Sequence, residues 1–186
     1  IDSHINSYGK SLDLIKNIFN EDSTYSKKKL FTYKGDIRDY KFLENIFLNM
    51  KLKNENFSGV IHFAGLKSAT ESILHPLKYW DVNLNITLTL LRVMDQFDCK
   101  NLVFSSSATV YKTNNLKLDE NSFIEPSNPY GNSKLAIEKL LLDLFENSPK
   151  SWRIANLRYF NPVGAHSSAL IGEDPKGKAN NIFPII

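Results

Sequence analysis

Apolar residues recur along the chain in two alternating patterns. Spacings of three and four positions predict helices over residues 11–20, 39–50, 77–97 and 133–146. Short β-branched or apolar runs predict strands over residues 30–34, 59–64, 101–105 and 152–160. Because strands and helices alternate, the predicted fold class is α/β, with a Rossmann-like, doubly wound parallel sheet that carries helices on both faces.

Polar side chains capable of chemistry follow the ends of these predicted strands. They lie in segments 34–39, 63–67, 105–111 and 158–162, and Asp2 stands where a preceding strand would end. Ligands of open α/β sheets bind beyond the carboxyl ends of the strands. We therefore expect the functional site at this edge of the sheet.

Composition removes several other classes of function. The chain has 186 residues, enough for one domain with a real core, and a net charge of +3 without a basic, aromatic-rich stripe that would predict nucleic-acid binding. No apolar run approaches the roughly 20 residues of a membrane helix. The single cysteine, Cys99, cannot form an internal disulfide, which favours a reducing compartment, and we expect a cytoplasmic protein.

The histidines do not predict a metal site. His4, His62, His75 and His166 lack the spacing of metal ligands. His62 lies inside a predicted strand and is expected to be a packed core residue.

A tyrosine and a lysine stand four positions apart near the start of one predicted helix. Pro129 marks the helix entry, and Tyr130 and Lys134 then lie on a single face. A nearby ammonium favours the phenolate and is expected to lower the tyrosine pKa. The spacing alone also fits an ordinary surface pair. One of the serines 105–107, which precede this helix, can add a hydrogen bond to the tyrosine oxygen.

These residues resemble a known family. Ser107 with Tyr130 and Lys134 is similar to the extended, sugar-nucleotide branch of the short-chain dehydrogenase/reductase superfamily. A closer likeness is to the UDP-glucose 4-epimerases, through the segments His62–Lys67, Phe104–Tyr111, Asn128–Lys134, Leu157–His166 and Gly172–Gly177.

The resemblance implies a reaction and catalytic roles. UDP-glucose and UDP-galactose would interconvert by NAD-dependent oxidation and reduction at sugar C4, as in galactose metabolism. Tyr130 would be the base for the 4-hydroxyl, Ser107 would shorten the hydrogen-bond path, and Lys134 would bind the nicotinamide ribose and acidify Tyr130. The resemblance also implies a homodimer in the full-length protein.

Binding residues follow from the same resemblance. Besides Tyr130 and Lys134, the implied NAD contacts are Asp2, Asn6, Ser7, Asp36, Ile37, Phe63, Ala64, Gly65, Lys67, Asn83, Ser105, Tyr159 and Phe160. The implied UDP-sugar contacts are Lys67, Ser107, Tyr130, Asn161, Asn181 and Ile182. The residues themselves support two of these roles, because an acid at Asp2 can accept ribose hydroxyls and small residues at 64–65 admit a cofactor.

The chain also departs from the family pattern. The first strand and its glycine-rich pyrophosphate loop have no counterpart, nor has the C-terminal substrate part, so we expect a fragment that is inactive alone. The predicted domains are a partial NAD-binding Rossmann domain over 1–160 and the start of a substrate-binding region over 161–186. Substitutions of family residues stand at Ile86, Lys112, Asn132 and Ala179.

Two alternatives stay open. One is another NAD-dependent nucleotide-sugar epimerase or dehydratase, although Ala108-Thr109-Val110 stands where dehydratases carry an acidic pair. The other is an inactive scaffold that has kept the fold, which would predict a damaged Ser-Tyr-Lys set.

Overall fold

The computed structural model describes residues 1–21, 29–112, 117–148 and 151–172. The chain forms two compact units. One comprises Ile37–Phe160, and the other comprises Ile1–Asp36 with Asn161–Ile186.

The unit Ile37–Phe160 contains a parallel sheet of three strands. The strands are β1 (Val60–His62), β2 (Asn101–Ser107) and β3 (Arg153–Tyr159), in the spatial order β1-β2-β3. Val60 pairs with Leu102, and Ser106 pairs with Arg158. All three carboxyl ends therefore lie at one edge, and the predicted α/β class is confirmed.

Helices separate the strands in this unit. They are α2 (Tyr40–Leu52), α3 (Ala69–Leu74), α4 (Pro76–Gln96) and α5 (Pro129–Asn147), and a 3-10 turn over Ala108–Val110 follows β2. The sequence prediction missed α3, although its N-cap, Ser68, accepts a hydrogen bond from the backbone N–H of Glu71 at 3.2 Å. A serine followed three residues later by glutamate is a capping signature that could have revealed it.

The core lies between β2 and the two long helices. Leu102 and Phe104 of β2 pack with Leu90 and Met94 of α4 and with Ile137 of α5, and all five are at most 4% exposed. Each such side chain stabilises the fold by about 1.5–3 kcal/mol when fully buried. The opposite face of the sheet is more open, since Ile61 of β1 is 64% exposed.

The second unit contains helix α1 (Lys10–Glu21), as predicted. The strand predicted over residues 30–34 is wrong. Only an isolated parallel bridge forms there, in which Asp2 N–H donates to Tyr33 O at 3.1 Å and Gly35 N–H donates to Asp2 O at 3.0 Å. A ladder needs a run of paired backbone groups, and the partner segment supplies just this one position.

Among the described residues, no helix combines the length and the apolar character required to cross a membrane.

Candidate active site

The first turn of α5 is pressed against the 3-10 turn that follows β2. Asn128 caps the helix by accepting a hydrogen bond from Gly131 N–H at 2.9 Å. A Cβ atom at Gly131 would lie 2.6 Å from Thr109 O and 3.0 Å from Pro126 Cβ, so only glycine allows this approach. The neighbouring Tyr130 is thereby held at the carboxyl edge of the sheet and is 8% exposed.

Burial dominates the acidity of Tyr130. It raises the pKa of the phenol, and a side-chain hydrogen bond with Ser107 lowers that pKa in part. The expectation that Lys134 makes the phenol more acidic is wrong for this structure. The Lys134 ammonium lies 5.9 Å from the centroid of the Tyr130 ring, and removal of the phenolate from water outweighs the attraction at that distance.

Lys134 lies one turn further along α5 and is 4% exposed. Its Nζ donates a hydrogen bond to Ser105 O at 2.7 Å and lies 4.8 Å from the centroid of the Phe104 ring. Burial lowers the pKa of this ammonium to about 8. The end of β2 holds this side chain in place.

Ser107 is oriented by a residue that the sequence prediction missed. Thr109 donates to Ser107 Oγ from its backbone N–H at 3.2 Å and from its hydroxyl at 3.0 Å. Because both bonds use Ser107 Oγ as the acceptor, the serine proton can point toward Tyr130. A threonine two positions after a serine that caps a 3-10 turn is the signal that indicates this role.

The loop after β1 is fixed to α4 and α5 by one buried amide. Asn83, 1% exposed, accepts from Leu66 N–H at 2.8 Å and donates to Leu66 O at 3.2 Å and to Ser133 Oγ at 3.1 Å. A Cβ atom at Gly65, where φ is +151°, would lie 3.1 Å from Asn83 Oδ1. Glycine is thus required here by the approach of Asn83, and the predicted contact with a cofactor stays a prediction.

Two exposed aromatic rings lie at the same edge of the sheet. Phe63, 63% exposed, follows β1, and Phe160, 62% exposed, follows β3. The rings of Phe63 and Tyr159 are 6.1 Å apart. Such surfaces suit a flat heteroaromatic ligand. Of the other predicted contacts in this unit, Ala64 is half-buried, Lys67 is exposed and Ile37 packs against the core.

The remaining predicted contacts belong to the second unit. There Asp2 Oδ1 accepts hydrogen bonds from His4 N–H at 2.6 Å and from Ser7 Oγ at 3.2 Å, which brings two predicted cofactor contacts together. Asp36 is half-buried, and Asn6 and Asn161 are exposed. Asn181, Ile182 and most of the segment Gly172–Gly177 lie outside the described residues.

A partly buried ion pair is a second feature that the sequence prediction missed. Glu138 on α5 and Arg158 on β3 bind each other with an Oε2–Nη2 distance of 2.7 Å. The i, i+4, i+8 spacing of Tyr130, Lys134 and Glu138 on one helical face is the signal that places this acid against the sheet.

No group of three histidine, cysteine or acidic side chains is placed to hold a metal ion anywhere in the described ranges. His62 is buried as predicted, with its Nε2 3.0 Å from Thr87 Oγ1.

The chain is similar to known proteins over nearly its whole length. The sequence profile of the NAD dependent epimerase/dehydratase family matches residues 6–185. UDP-glucose 4-epimerase 2 of Arabidopsis thaliana is 46% identical over 187 aligned positions, which cover 100% of this chain and 51% of the relative. The chain therefore spans about half the length of this curated relative.

Solved structures agree with the sequence relatives. UDP-glucose 4-epimerase from Bifidobacterium longum, in complex with NAD+ and UDP, has a TM-score of 0.85 and 43% identity, and the match covers 98% of this chain and 51% of that one. UDP-glucose-4-epimerase from Stenotrophomonas maltophila, with bound NAD and formylated UDP-arabinopyranose, has a TM-score of 0.84, 39% identity and the same coverage.

Proposed function

The chain belongs to the NAD-dependent epimerase/dehydratase family, and from that premise we propose that it carries the catalytic half of a UDP-glucose 4-epimerase. The single observation that carries the proposal is the arrangement of Ser107, Tyr130 and Lys134 at the carboxyl edge of the sheet. A scaffold that had lost its chemistry would have no reason to keep these three polar groups buried side by side.

The residues at this edge fit NAD. Lys134 presents a buried ammonium, Gly65 follows the end of β1 without a side chain, and Phe63 and Phe160 offer exposed ring surface. In the other unit, Asp2 takes both of its bonds from His4 and Ser7 on Oδ1. Its Oδ2 is the oxygen suited to accept ribose hydroxyls, and its charge disfavours a 2′-phosphate.

When bound, NAD supplies a nicotinamide ring that accepts a hydride and returns it. The chain's own residues move the proton. In the proposed role, Tyr130 Oη takes the proton of the sugar 4-hydroxyl and later gives it back, while Ser107 Oγ donates to the same oxygen and stabilises the phenolate. Lys134 lends positive charge to this site, and Thr109 keeps the Ser107 proton aimed at Tyr130.

Binding roles are proposed for the residues at the rim. In addition to the cofactor contacts above, we assign Asn6, Asp36, Ile37, Ala64, Lys67, Asn83, Ser105 and Tyr159 to NAD, and Lys67, Asn161, Asn181 and Ile182 to the nucleotide sugar. Residues 1–160 would then serve mainly the cofactor, and residues 161–186 would begin the substrate region. We further propose that the full-length protein is a homodimeric, cytoplasmic enzyme of galactose metabolism.

A coupled assay tests the proposal. The protein, expressed from its complete coding sequence, is given UDP-galactose, and the UDP-glucose formed is oxidised by UDP-glucose dehydrogenase with a readout of NADH. We expect steady turnover and co-purified NAD that is released on denaturation. Absence of turnover in a folded protein that retains NAD would reject the epimerase assignment.

A further inference from the structure

A buried polar network joins α5 to the ends of β2 and β3 behind Tyr130. The Glu138 carboxylate, in a residue 6% exposed, accepts from Arg158 Nε at 3.0 Å and from Arg158 Nη2 at 2.7 Å, and it also accepts from Ser106 Oγ. Arg158 Nη1 donates to Tyr111 Oη at 3.0 Å, and the guanidinium carbon lies 4.9 Å from the Tyr111 ring centroid. Four side chains from four segments are thus locked together.

Stability alone does not explain this network. Taking a carboxylate and a guanidinium out of water costs about as much as their attraction returns, and apolar side chains of similar volume often stabilise a core equally well. An ion pair instead restricts the relative position of its two residues, because the planar guanidinium binds a carboxylate in only a few arrangements. Glu138 and Arg158 therefore fix the position of α5 against the sheet.

The same helical face carries the proposed chemistry. Tyr130, Lys134 and Glu138 are spaced by four residues and lie on one stripe of α5. Their side chains contact three consecutive residues of β2, within the segment Ser105–Ser107. A shift of the helix at Glu138 would therefore also move Tyr130 relative to its Ser107 partner.

We propose that Glu138 and Arg158 are positioning residues, which hold α5 at the height where the Tyr130 oxygen meets Ser107 and a substrate hydroxyl. The proposal rests on the proposed function for its kinetic consequence. Neither residue touches a reacting atom, and both act through the backbone of α5 and the end of β2.

Charge-conserving variants test the proposal in the protein expressed from its complete coding sequence. Glu138→Asp shortens the acid by one methylene. Arg158→Lys replaces the planar guanidinium, which donates two hydrogen bonds side by side, with an ammonium. We expect kcat to fall about tenfold or more, since sub-ångström displacement of a proton-transfer group is enough for such a loss, and KM for UDP-galactose to change less than about twofold. Circular dichroism reports whether each variant is folded.

An exposed ion pair supplies the matched control. Lys112 Nζ and Glu125 Oε2 are 2.9 Å apart, with both side chains more than half exposed. Glu125→Asp and Lys112→Arg should leave kcat within about twofold of the unsubstituted protein.

The titration of Tyr130 provides a readout that needs no substrate. In protein labelled with ring-13C tyrosine, the Tyr130 resonance is assigned by its loss in Tyr130→Phe. Both charge-conserving variants should raise the Tyr130 pKa, because the Ser107 hydrogen bond loosens while the charges of Glu138, Arg158 and Lys134 persist. Ser106→Ala, which leaves the ion pair intact, should shift it less in the same direction.

These two readouts separate the two proposals. A raised Tyr130 pKa in a protein that never turns over UDP-galactose would reject the proposed function and support the positioning role. Folded variants with unchanged Tyr130 pKa and unchanged kcat would show that Glu138 and Arg158 only stabilise the fold, and would overturn the inference.

Discussion

The two halves of α5 bury different kinds of side chain. Besides the core residue Ile137, the half from Pro129 to Glu138 buries four polar or charged groups, which are Tyr130, Ser133, Lys134 and Glu138. The half from Lys139 to Asn147 buries Leu141 and leaves Leu142 and Phe145 exposed by 52% and 43%. One helix therefore combines a polar buried surface with an ordinary amphipathic one.

This difference distinguishes residues that stabilise the fold from residues with a proposed chemical role. Leu141 contributes by leaving water and needs no particular partner. Each polar group in the first half is stabilising only while its hydrogen bonds are formed, as with Lys134 Nζ and Ser105 O at 2.7 Å. These four polar groups thus add little stability for the number of contacts they require, and the proposed proton transfer at Tyr130 accounts for them.

Removing the Tyr130 oxygen should have the largest effect on kcat, and it tests the chemical role proposed for the polar half of α5. In Tyr130→Phe we expect kcat for UDP-galactose to fall by about 10³-fold or more, because the proton acceptor is lost, while the ring still fills its site against Tyr79. The coupled assay and the melting temperature are the measurements.

The control for that variant removes a phenol far from the site. Tyr40→Phe at the start of α2 loses a side-chain contact with Gln96 on the surface and should keep full activity. Unchanged turnover in Tyr130→Phe would reject Tyr130 as the base and leave the polar half of α5 without the role argued for it.

Leu141→Ala tests the half of α5 from Lys139 to Asn147, and it should lower stability without affecting catalysis. The side chain is 1% exposed in the core, and the truncation should lower the free energy of unfolding by about 3 kcal/mol. Turnover per folded molecule should stay within about twofold, because no hydrogen bond of the site changes. Urea unfolding measures the first quantity, and a large loss of kcat in the folded variant would contradict the separation of the two halves.

Sequence patterns were sufficient for most of the elements, for physical reasons that differ between residues. The strand from Asn101 to Ser107 and the helix that Pro129 begins have strong local signals, and Tyr130 with Lys134 follows from helical spacing alone. The strand predicted over residues 30–34 failed because pairing depends on a partner elsewhere in the chain.

Contacts between distant segments explain the other misses. The pKa of Tyr130 depends on how deeply the ring is buried and on where the Lys134 ammonium points, and helical spacing specifies neither. Arg158 meets Glu138 only because β3 pairs with β2 in one particular register. Local periodicity carries no information about that register.

Lys134, in the polar half of α5, also affects His62 of β1, and the dependence of stability on pH can measure this effect. Burial and the Lys134 charge lower the pKa of His62 from 6.5 to about 3, so the unfolded state binds a proton that the folded state refuses. The free energy of unfolding therefore keeps the full contribution of neutral His62 above pH 6.5 and loses it as pH falls toward 3. Between pH 7 and 5 we expect a loss of about 2 kcal/mol.

Urea unfolding at the two pH values measures that loss. His62→Gln keeps a side-chain donor for Thr87 and cannot titrate, so its stability should change less over the same interval. Lys134→Met should raise the His62 pKa, followed by NMR. An equal pH dependence in the glutamine variant would assign the acid sensitivity to other groups.

Thr109→Val should give the smallest effect on kcat, and it tests whether the orientation of Ser107 depends on the Thr109 hydroxyl. The variant keeps the backbone N–H bond to Ser107 and removes only the hydroxyl bond of 3.0 Å. Ser107 can then direct its proton elsewhere for part of the time, and we expect kcat to fall about tenfold or less, with the Tyr130 pKa rising. Thr109→Ser, which restores the hydroxyl, should recover most of the rate. If valine and serine behave alike, the backbone N–H alone orients Ser107, and the polar half of α5 depends on Ser107 without depending on the side chain behind it.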